Sequence, residues 1–331
     1  MYTTYMRASF VLLVIAVTIL FIITLRGLFF STEKSGYHVG VVDGGHYFES
    51  WIQSHCESAM GSADIKFIGK VNDDTDFVLA SVFGGEKNNV PFDIPIIIVS
   101  GEAHVIQPIS GRTRQGLVDT KPSPAGWTFP FLYVPFYVIS FGERRQNSPR
   151  DLLTKTMVTS KTKFCAYLAS YDTEDRCRFF DTLSAVKKVD GLGTSRNTTG
   201  LASDRGVYNS KKTYMDVSVE KYRPYRFVIA FENTQHPGYI TEKIVSAMLA
   251  GCVPIYYGAR DVTKHFNPAS FINVANFPSF EDCCKYVGYL ESHPEALTKI
   301  QQAPFFVNNI LPQYFAPDYA SDFIKQVLSL P

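Results

Sequence analysis

The sequence predicts an α/β protein built on parallel β-sheets and preceded by one membrane-spanning helix. Three observations lead there. Apolar runs of strand length recur through the first half, separated by polar or helical stretches. Residues 225–274 read as strand, polar loop, amphipathic helix and strand, the repeating unit of a parallel sheet. Ala8–Leu25 are eighteen residues without a charge, rich in Val, Leu, Ile and Phe and flanked by Arg7 and Arg26.

Taken in order, the apolar run at 8–25 spans about 27 Å as a helix, enough for a thin bilayer. It is longer than a signal-peptide core, and no small-x-small cleavage site follows it. It therefore reads as a single-pass anchor, with residues 1–7 as a short tail and 26–36 as a stem. Arg7 and the amino terminus balance Arg26 and Lys34, so charge hardly chooses the orientation. About three hundred residues remain, enough for two α/β domains. The formal net charge of the 331-residue chain is +1, which gives no electrostatic case for nucleic acid or an anionic surface. The six cysteines, Cys56, Cys165, Cys177, Cys252, Cys283 and Cys284, lack metal-ligand spacing. Cys165 and Cys252 lie in apolar context and read as buried thiols.

The first domain, 37–150, shows strands at His38–Val42, Ile65–Ile68, Phe77–Val82 and Ile94–Ser100, with a helix over Tyr47–Met60. Glu102 follows the last of these strands, where α/β sheets present chemistry; on position alone a structural or solvated role fits as well. Trp127–Phe136, aromatic and proline-rich, reads as a sheet edge and loop, and Gly142–Lys163 as the crossing between domains. Asp74-Thr75-Asp76 has the Asp-x-Asp form that holds a divalent cation, but it precedes an apolar strand instead of following one and reads as a polar loop.

The second domain, 151–331, opens with a strand at Phe164–Ala169 and a helix from Thr173 to Lys188 carrying Arg176. The loop from Gly191 to Gly200 holds Gly-x-Gly without a third glycine in register, a weak dinucleotide signal. It also holds the glycosylation sequon Asn197-Thr198-Thr199. Phe227–Phe231 reads as a buried strand. Thr241 is placed to cap the next helix, on which Ile244, Ala247 and Met248 recur at helical spacing until Gly251 ends it. Val253–Tyr257 is the following strand. Helices over Phe280–Glu291 and Asp318–Leu328 complete the chain. Lys243 falls in the first turn of its helix, where a cation is unfavourable unless an anion joins it. A phosphate would complete such a site; the other reading is that Lys243 points into water.

The run Phe231-Glu232-Asn233, Tyr239-Ile240-Thr241-Glu242-Lys243, Val253-Pro254-Ile255-Tyr256-Tyr257-Gly258, Phe266-Asn267-Pro268 and Ser270-Phe271-Ile272-Asn273-Val274 resembles the donor-binding signature of the α-1,3/1,4-fucosyltransferases, glycosyltransferase family ten. The resemblance is strong over about 160–300 and thinner before. His265-Phe266-Asn267-Pro268 is similar to the bacterial-type members, whereas the anchor looks like that of the Golgi enzymes.

That resemblance implies a GT-B architecture: two Rossmann-like domains facing a cleft, the acceptor side first and the GDP-fucose side second. It implies that Lys243 and Arg176 hold the diphosphate, that Asn233, Tyr239 and Glu242 contact or support the ribose and sugar hydroxyls, and that Glu102 is the general base. The implied reaction is inverting transfer of L-fucose from GDP-fucose to a GlcNAc-containing glycan in α-1,3 linkage, without metal or other cofactor. The implied setting is the Golgi membrane, type II, with 8–25 in the bilayer and no nucleic-acid partner. Two alternatives stay open: a transferase using another sugar nucleotide, and a catalytically silent glycan-binding relative.

Overall fold

The computed structural model describes residues 36–61, 64–102, 106–122, 127–154, 161–200 and 211–329. The expected anchor at 8–25 lies outside them; among the described residues no helix is long and apolar enough to cross a membrane. The fold is α/β, with two all-parallel sheets. The first contains β1 (Gly36–Val42), β2 (Asp64–Ile68), β3 (Phe77–Ser81), β4 (Ile96–Ser100), β5 (Gln115–Asp119) and β6 (Phe131–Tyr133), in the order β2-β1-β3-β4-β5-β6. The second contains β7 (Lys163–Tyr167), β8 (Val189–Gly191), β9 (Tyr225–Phe231), β10 (Val253–Tyr257) and β11 (Ile272–Asn273), in the order β11-β10-β9-β7-β8.

The central strands β3 and β4 are buried along their whole length, as expected for strands covered on both faces. β5 is equally buried but polar at both ends, and hydrophobicity alone does not reveal it. It tolerates burial because most of its polar groups are paired, although Asp119 Oδ2 finds no partner among the described residues. The Gln115 amide donates to the carbonyls of Ile109 and Arg112, at 3.0 and 2.6 Å, and Asp119 pairs with Lys121 at 2.9 Å. The aromatic piece expected at a sheet edge supplies β6, the edge strand.

Helix α1 (Glu49–Met60) follows a 3-10 turn at Gly45–Phe48, and α2 (Phe136–Glu143) follows β6. In the second half, α3 (Glu174–Val186) is capped by Thr173, whose hydroxyl accepts from the Arg176 amide. α4 (Tyr214–Tyr222) starts with a capping box formed by Thr213 and Asp216. α5 (Glu242–Leu249) connects β9 to β10, and α6 (Phe280–Ser292) and α7 (Pro294–Gln302) follow β11. The last helix, α8 (Ser321–Leu328), returns to the first sheet and packs on α1 and β5.

The two halves share a hydrophobic core. One continuous cluster joins Leu79, Ile97 and Tyr137 of the first to Ile240, Ile244, Met248 and Phe266 of the second. Hydrogen bonds cross the same seam. The Tyr137 amide donates to the Ile240 carbonyl at 3.1 Å, and the Tyr133 hydroxyl to the Gly238 carbonyl at 3.0 Å. Arg144 reaches the Ser246 hydroxyl at 2.8 Å. Gly238 has φ 74°, and a Cβ there would sit 2.7 Å from Pro122 and 3.0 Å from the Tyr133 ring, so the seam closes only on glycine. His265 lies between the Tyr133 and Tyr137 hydroxyls and stacks on Tyr314. Burial pushes its imidazole down to about 4, so it is neutral in the seam at physiological pH.

Candidate active site

The carboxyl ends of both sheets open into one cleft of about 650 Å³. From the first sheet come Asp43 after β1, Val82 and Phe83 after β3, and Gly101 and Glu102 after β4; from the second come Leu168 to Tyr171 after β7 and Asn233 after β9. Chemistry at strand carboxyl ends is the rule for parallel sheets. Glu102, Arg176, Asn233, Tyr239, Glu242 and Lys243, widely separated in sequence, all line this space.

Glu102 stands on the first wall. Its backbone is fixed while its carboxylate is left to the cleft. The amide donates to the Ser100 hydroxyl at 3.3 Å, and the carbonyl accepts from the Lys121 ammonium at 2.6 Å. Lys121 is itself anchored to Asp119 at the end of β5. Gly101 is needed beside it, because a Cβ would meet the Phe136 ring at 2.7 Å. Among the described residues no hydrogen bond reaches the Glu102 carboxylate.

Arg176 occupies the opposite wall, on the first turn of α3, with 4% exposure. One guanidinium nitrogen donates to the Phe231 carbonyl at 2.6 Å and the Asn233 side-chain oxygen at 2.7 Å. Its Nε is buried with no partner, and no carboxylate pairs with it among the described residues. A buried cation without a counter-ion is a strong invitation to an anion. Asn233 therefore orients the arginine, a role the sequence assigned only loosely.

Lys243 is neither a free cation nor directed into water. Its ammonium pairs with Glu232 at 3.0 Å and donates to the Thr241 hydroxyl at 2.8 Å. Thr241 holds the N-cap position, but its side chain makes no cap bond. The hydroxyl instead donates to Glu232 at 2.7 Å, and the Thr241 amide donates to the other Glu232 oxygen at 2.7 Å. Glu232, with a fully buried side chain, is the residue that sequence reasoning missed, although it follows a buried strand as Glu102 does. An ammonium has three donors, so one N–H remains for the cleft. Tyr239, 2% exposed, has its hydroxyl pushed up by burial and then by the charges of Glu232, Glu102 and Glu242. Glu242 and Asp216 supply negative charge near buried Arg144, whose guanidinium burial lowers to about 10.

This pairing sets an expected result for Lys243→Ala. The variant leaves a buried carboxylate without its cation, so it should destabilise the fold. Truncating one partner of a buried pair costs about 3–5 kcal/mol, less here because the ammonium is partly exposed. Adding Glu232→Gln should restore much of the melting temperature. A single variant as stable as the wild type would mean that the pair is energetically idle.

The remaining motifs fall outside the cleft. Asp76 accepts from the His38 amide at 2.8 Å, at the amino end of β3, as a polar-loop residue. Asn197 is exposed, and its side-chain oxygen accepts from the Thr199 and Gly200 amides at 3.1 and 3.0 Å. The glycines of that loop serve close packing: a Cβ at Gly193 would lie 2.0 Å from the Ala169 carbonyl oxygen. The six cysteines are free thiols.

Residues 158–301 match the family model described as glycosyltransferase family 10 (fucosyltransferase), C-terminal. A putative fucosyltransferase of Acanthamoeba polyphaga mimivirus is 31% identical over 199 residues, 60% of this chain and 31% of that protein. An α-(1,3)-fucosyltransferase of Helicobacter pylori is 39% identical over 137 residues, 41% of this chain and 26% of that protein. The match thus spans about a third or less of the length of these curated relatives. A crystal structure of an α1,3-fucosyltransferase with GDP superposes with TM-score 0.65 at 22% identity, covering 90% of this chain and 92% of that one, a likeness of fold. Over residues 158–301, somewhat less than half of its length, the chain is thus similar to the C-terminal domain of glycosyltransferase family 10.

Proposed function

We propose that the chain is an inverting fucosyltransferase that moves L-fucose from GDP-fucose to a GlcNAc-containing glycan in α-1,3 linkage. One observation carries the reading. Among the described residues, a carboxylate with no protein partner, Glu102, shares a cleft with a buried arginine that lacks a counter-ion, Arg176. Such an arrangement suits a base on one side and a diphosphate on the other. The reading is also supported by relatives named as fucosyltransferases and by solved neighbours holding GDP or GDP-fucose.

In this mechanism the diphosphate lies against Arg176, the third N–H of Lys243 and the amides at the start of α5. Asn233 keeps the guanidinium aimed, and Tyr239 and Glu242 meet ribose and sugar hydroxyls. An acceptor hydroxyl loses its proton to Glu102 as its oxygen forms the bond to the anomeric carbon of fucose. The bond from that carbon to the diphosphate oxygen breaks on the opposite face, and GDP leaves with the negative charge that Arg176 and Lys243 offset. The interdomain seam fixes the two walls relative to each other and so supplies orientation. Residues 8–25 would anchor the catalytic part at a Golgi membrane.

The test is the full chain in detergent with GDP-fucose and a panel of GlcNAc-containing acceptors, with EDTA present. Fucosylated product formed at an undiminished rate in chelator is the expected result. Product only with another sugar nucleotide would overturn the donor, and no product with any would favour a glycan-binding role. Activity lost in EDTA and restored by manganese would direct attention to Asp74 and Asp76.

A further inference from the structure

Helix α2 lines the first wall of the cleft with Phe136, Ile139, Ser140 and Glu143, spaced i, i+3, i+4, i+7 along one stripe. The first three are accounted for locally. Phe136 packs under Gly101, Ile139 is core, and the Ser140 hydroxyl donates to the Tyr137 carbonyl at 2.7 Å. Glu143 is not. It is 9% exposed, closes the carboxyl end of the helix, and makes no hydrogen bond or ion pair among the described residues.

That placement is unfavourable for a carboxylate on two grounds. The helix end presents partial negative charge, and burial strips much of the water from a carboxyl that no donor serves among the described residues. The residue sits about two turns, roughly 10 Å, from the Phe136 end beside Glu102, so it serves a different part of the ligand from the base. The charged or titratable groups that share its surroundings are Glu49 at the start of α1, Asp43 and Glu102 at the strand ends, and Glu242 and Lys243 on α5. Arg144 and exposed Arg145 follow it in the chain, Tyr214, Asp216 and Tyr222 lie on α4, and Arg176, Tyr167, Tyr171 and Tyr239 line the rest of the cleft.

We propose that Glu143 is a sugar-binding residue, whose carboxyl exchanges hydrogen bonds with a hydroxyl of the ligand. A carboxylic acid both donates and accepts, as does a sugar hydroxyl, so the pair satisfies both groups at once. Burial, with the charge of Glu49 adding to it and that of Arg145 opposing, pushes the Glu143 carboxyl up to about 7. The acid form is therefore present at neutral pH and lost above it. The proposal rests on the nucleotide-sugar reading, and the hydroxyl belongs to the donor sugar or to the acceptor.

The experiment is titration calorimetry on the full chain between pH 6 and 8.5, with wild type, Glu143→Gln and Glu143→Leu. GDP, which carries no transferred sugar, is the control, and the pH dependence that its terminal phosphate brings should be the same in all three. If the donor sugar is the partner, GDP-fucose affinity in wild type should fall roughly thirtyfold over that range, as the binding-competent fraction falls. If the acceptor is the partner, galactosyl-N-acetylglucosamine binding to the GDP complex should show that fall instead. Glu143→Gln, which keeps a donor and an acceptor, should remove the pH dependence, and Glu143→Leu should bind that sugar weakly at every pH. Sugar affinities that are level with pH, or a glutamine variant that follows the wild-type curve, overturn the Glu143 assignment while GDP binding preserves the donor reading. Absence of GDP binding overturns both.

Discussion

If Glu102 is the base of the proposed transfer, replacing it by glutamine is expected to lower turnover by roughly a hundredfold or more, the scale of a lost general base. The structure sharpens what should accompany that loss. The carboxylate makes no hydrogen bond among the described residues, and the contacts fixing this segment run through the Glu102 backbone to Ser100 and Lys121. Glutamine keeps those contacts, so the melting temperature should stay close to wild type. GDP affinity should hardly change, because Arg176 and Lys243 stand on the other wall. Turnover, GDP affinity and melting temperature measured on one preparation separate the outcomes. A stable variant with full turnover would remove Glu102 from the chemistry, and the buried acids lining the cleft would become the next to test.

The sheets were legible where the physical rule that makes a strand also marks the sequence. Phe77–Ser81 and Ile96–Ser100 are covered on both faces, so they are apolar throughout and announce themselves. Gln115–Asp119 breaks that link. It is equally buried, but Gln115 is paired in a turn and one Asp119 oxygen two residues onward, pairings that no periodicity displays. The helix Phe136–Glu143 hides for the opposite reason. It is apolar on nearly every face because it lies between the two domains, so it has no polar stripe to reveal its period. The helix Tyr214–Tyr222 mixes polar and apolar residues, and its clearest mark is the capping pair Thr213 and Asp216.

The site was legible in its members and not in its electrostatics. Position after a buried strand or at a helix start singled out Glu102 and Lys243, and the family resemblance supplied Arg176, Asn233, Tyr239 and Glu242. What spacing could not show is which charges neutralise each other. Lys243 and Arg176 look equivalent in the sequence, yet one is matched by Glu232 eleven residues earlier and the other by no carboxylate among the described residues. That difference depends on the turn from Phe231 to Thr241 folding back on itself, with Gly238 at φ 74°. Glu143 went unseen along with its helix. The uneven roles of the two cations change the order of their expected effects, with Arg176 first.

Arg176→Met is accordingly expected to weaken GDP binding more than any other single change on the donor wall. A charge-assisted contact to phosphate is worth about 1.5–3 kcal/mol, or roughly 10- to 150-fold in affinity. The upper part of that range is expected, because the guanidinium is 4% exposed and has no protein carboxylate sharing its charge among the described residues. Effects on the fold oppose each other. Removing an uncompensated buried charge is favourable, but the Phe231 carbonyl and the Asn233 side chain lose a donor, at about 1–3 kcal/mol for each group left buried and unsatisfied. The unliganded variant should therefore melt lower than wild type while remaining folded. The phosphate assignment is isolated by comparing ligands. Guanosine, which lacks the diphosphate, should bind wild type and variant alike, whereas GDP should discriminate between them. Added GDP should also raise the melting temperature of wild type well above that of the variant, since a ligand that binds only the folded state stabilises by its affinity. Arg176→Lys keeps the charge but not the fork that serves Phe231 and Asn233 together, so it should recover part of the GDP affinity and little of the stability. A folded methionine variant that binds GDP as tightly as wild type would show that the buried arginine is a structural cation, and the diphosphate would then have to be sought against Lys243 and the start of α5 alone.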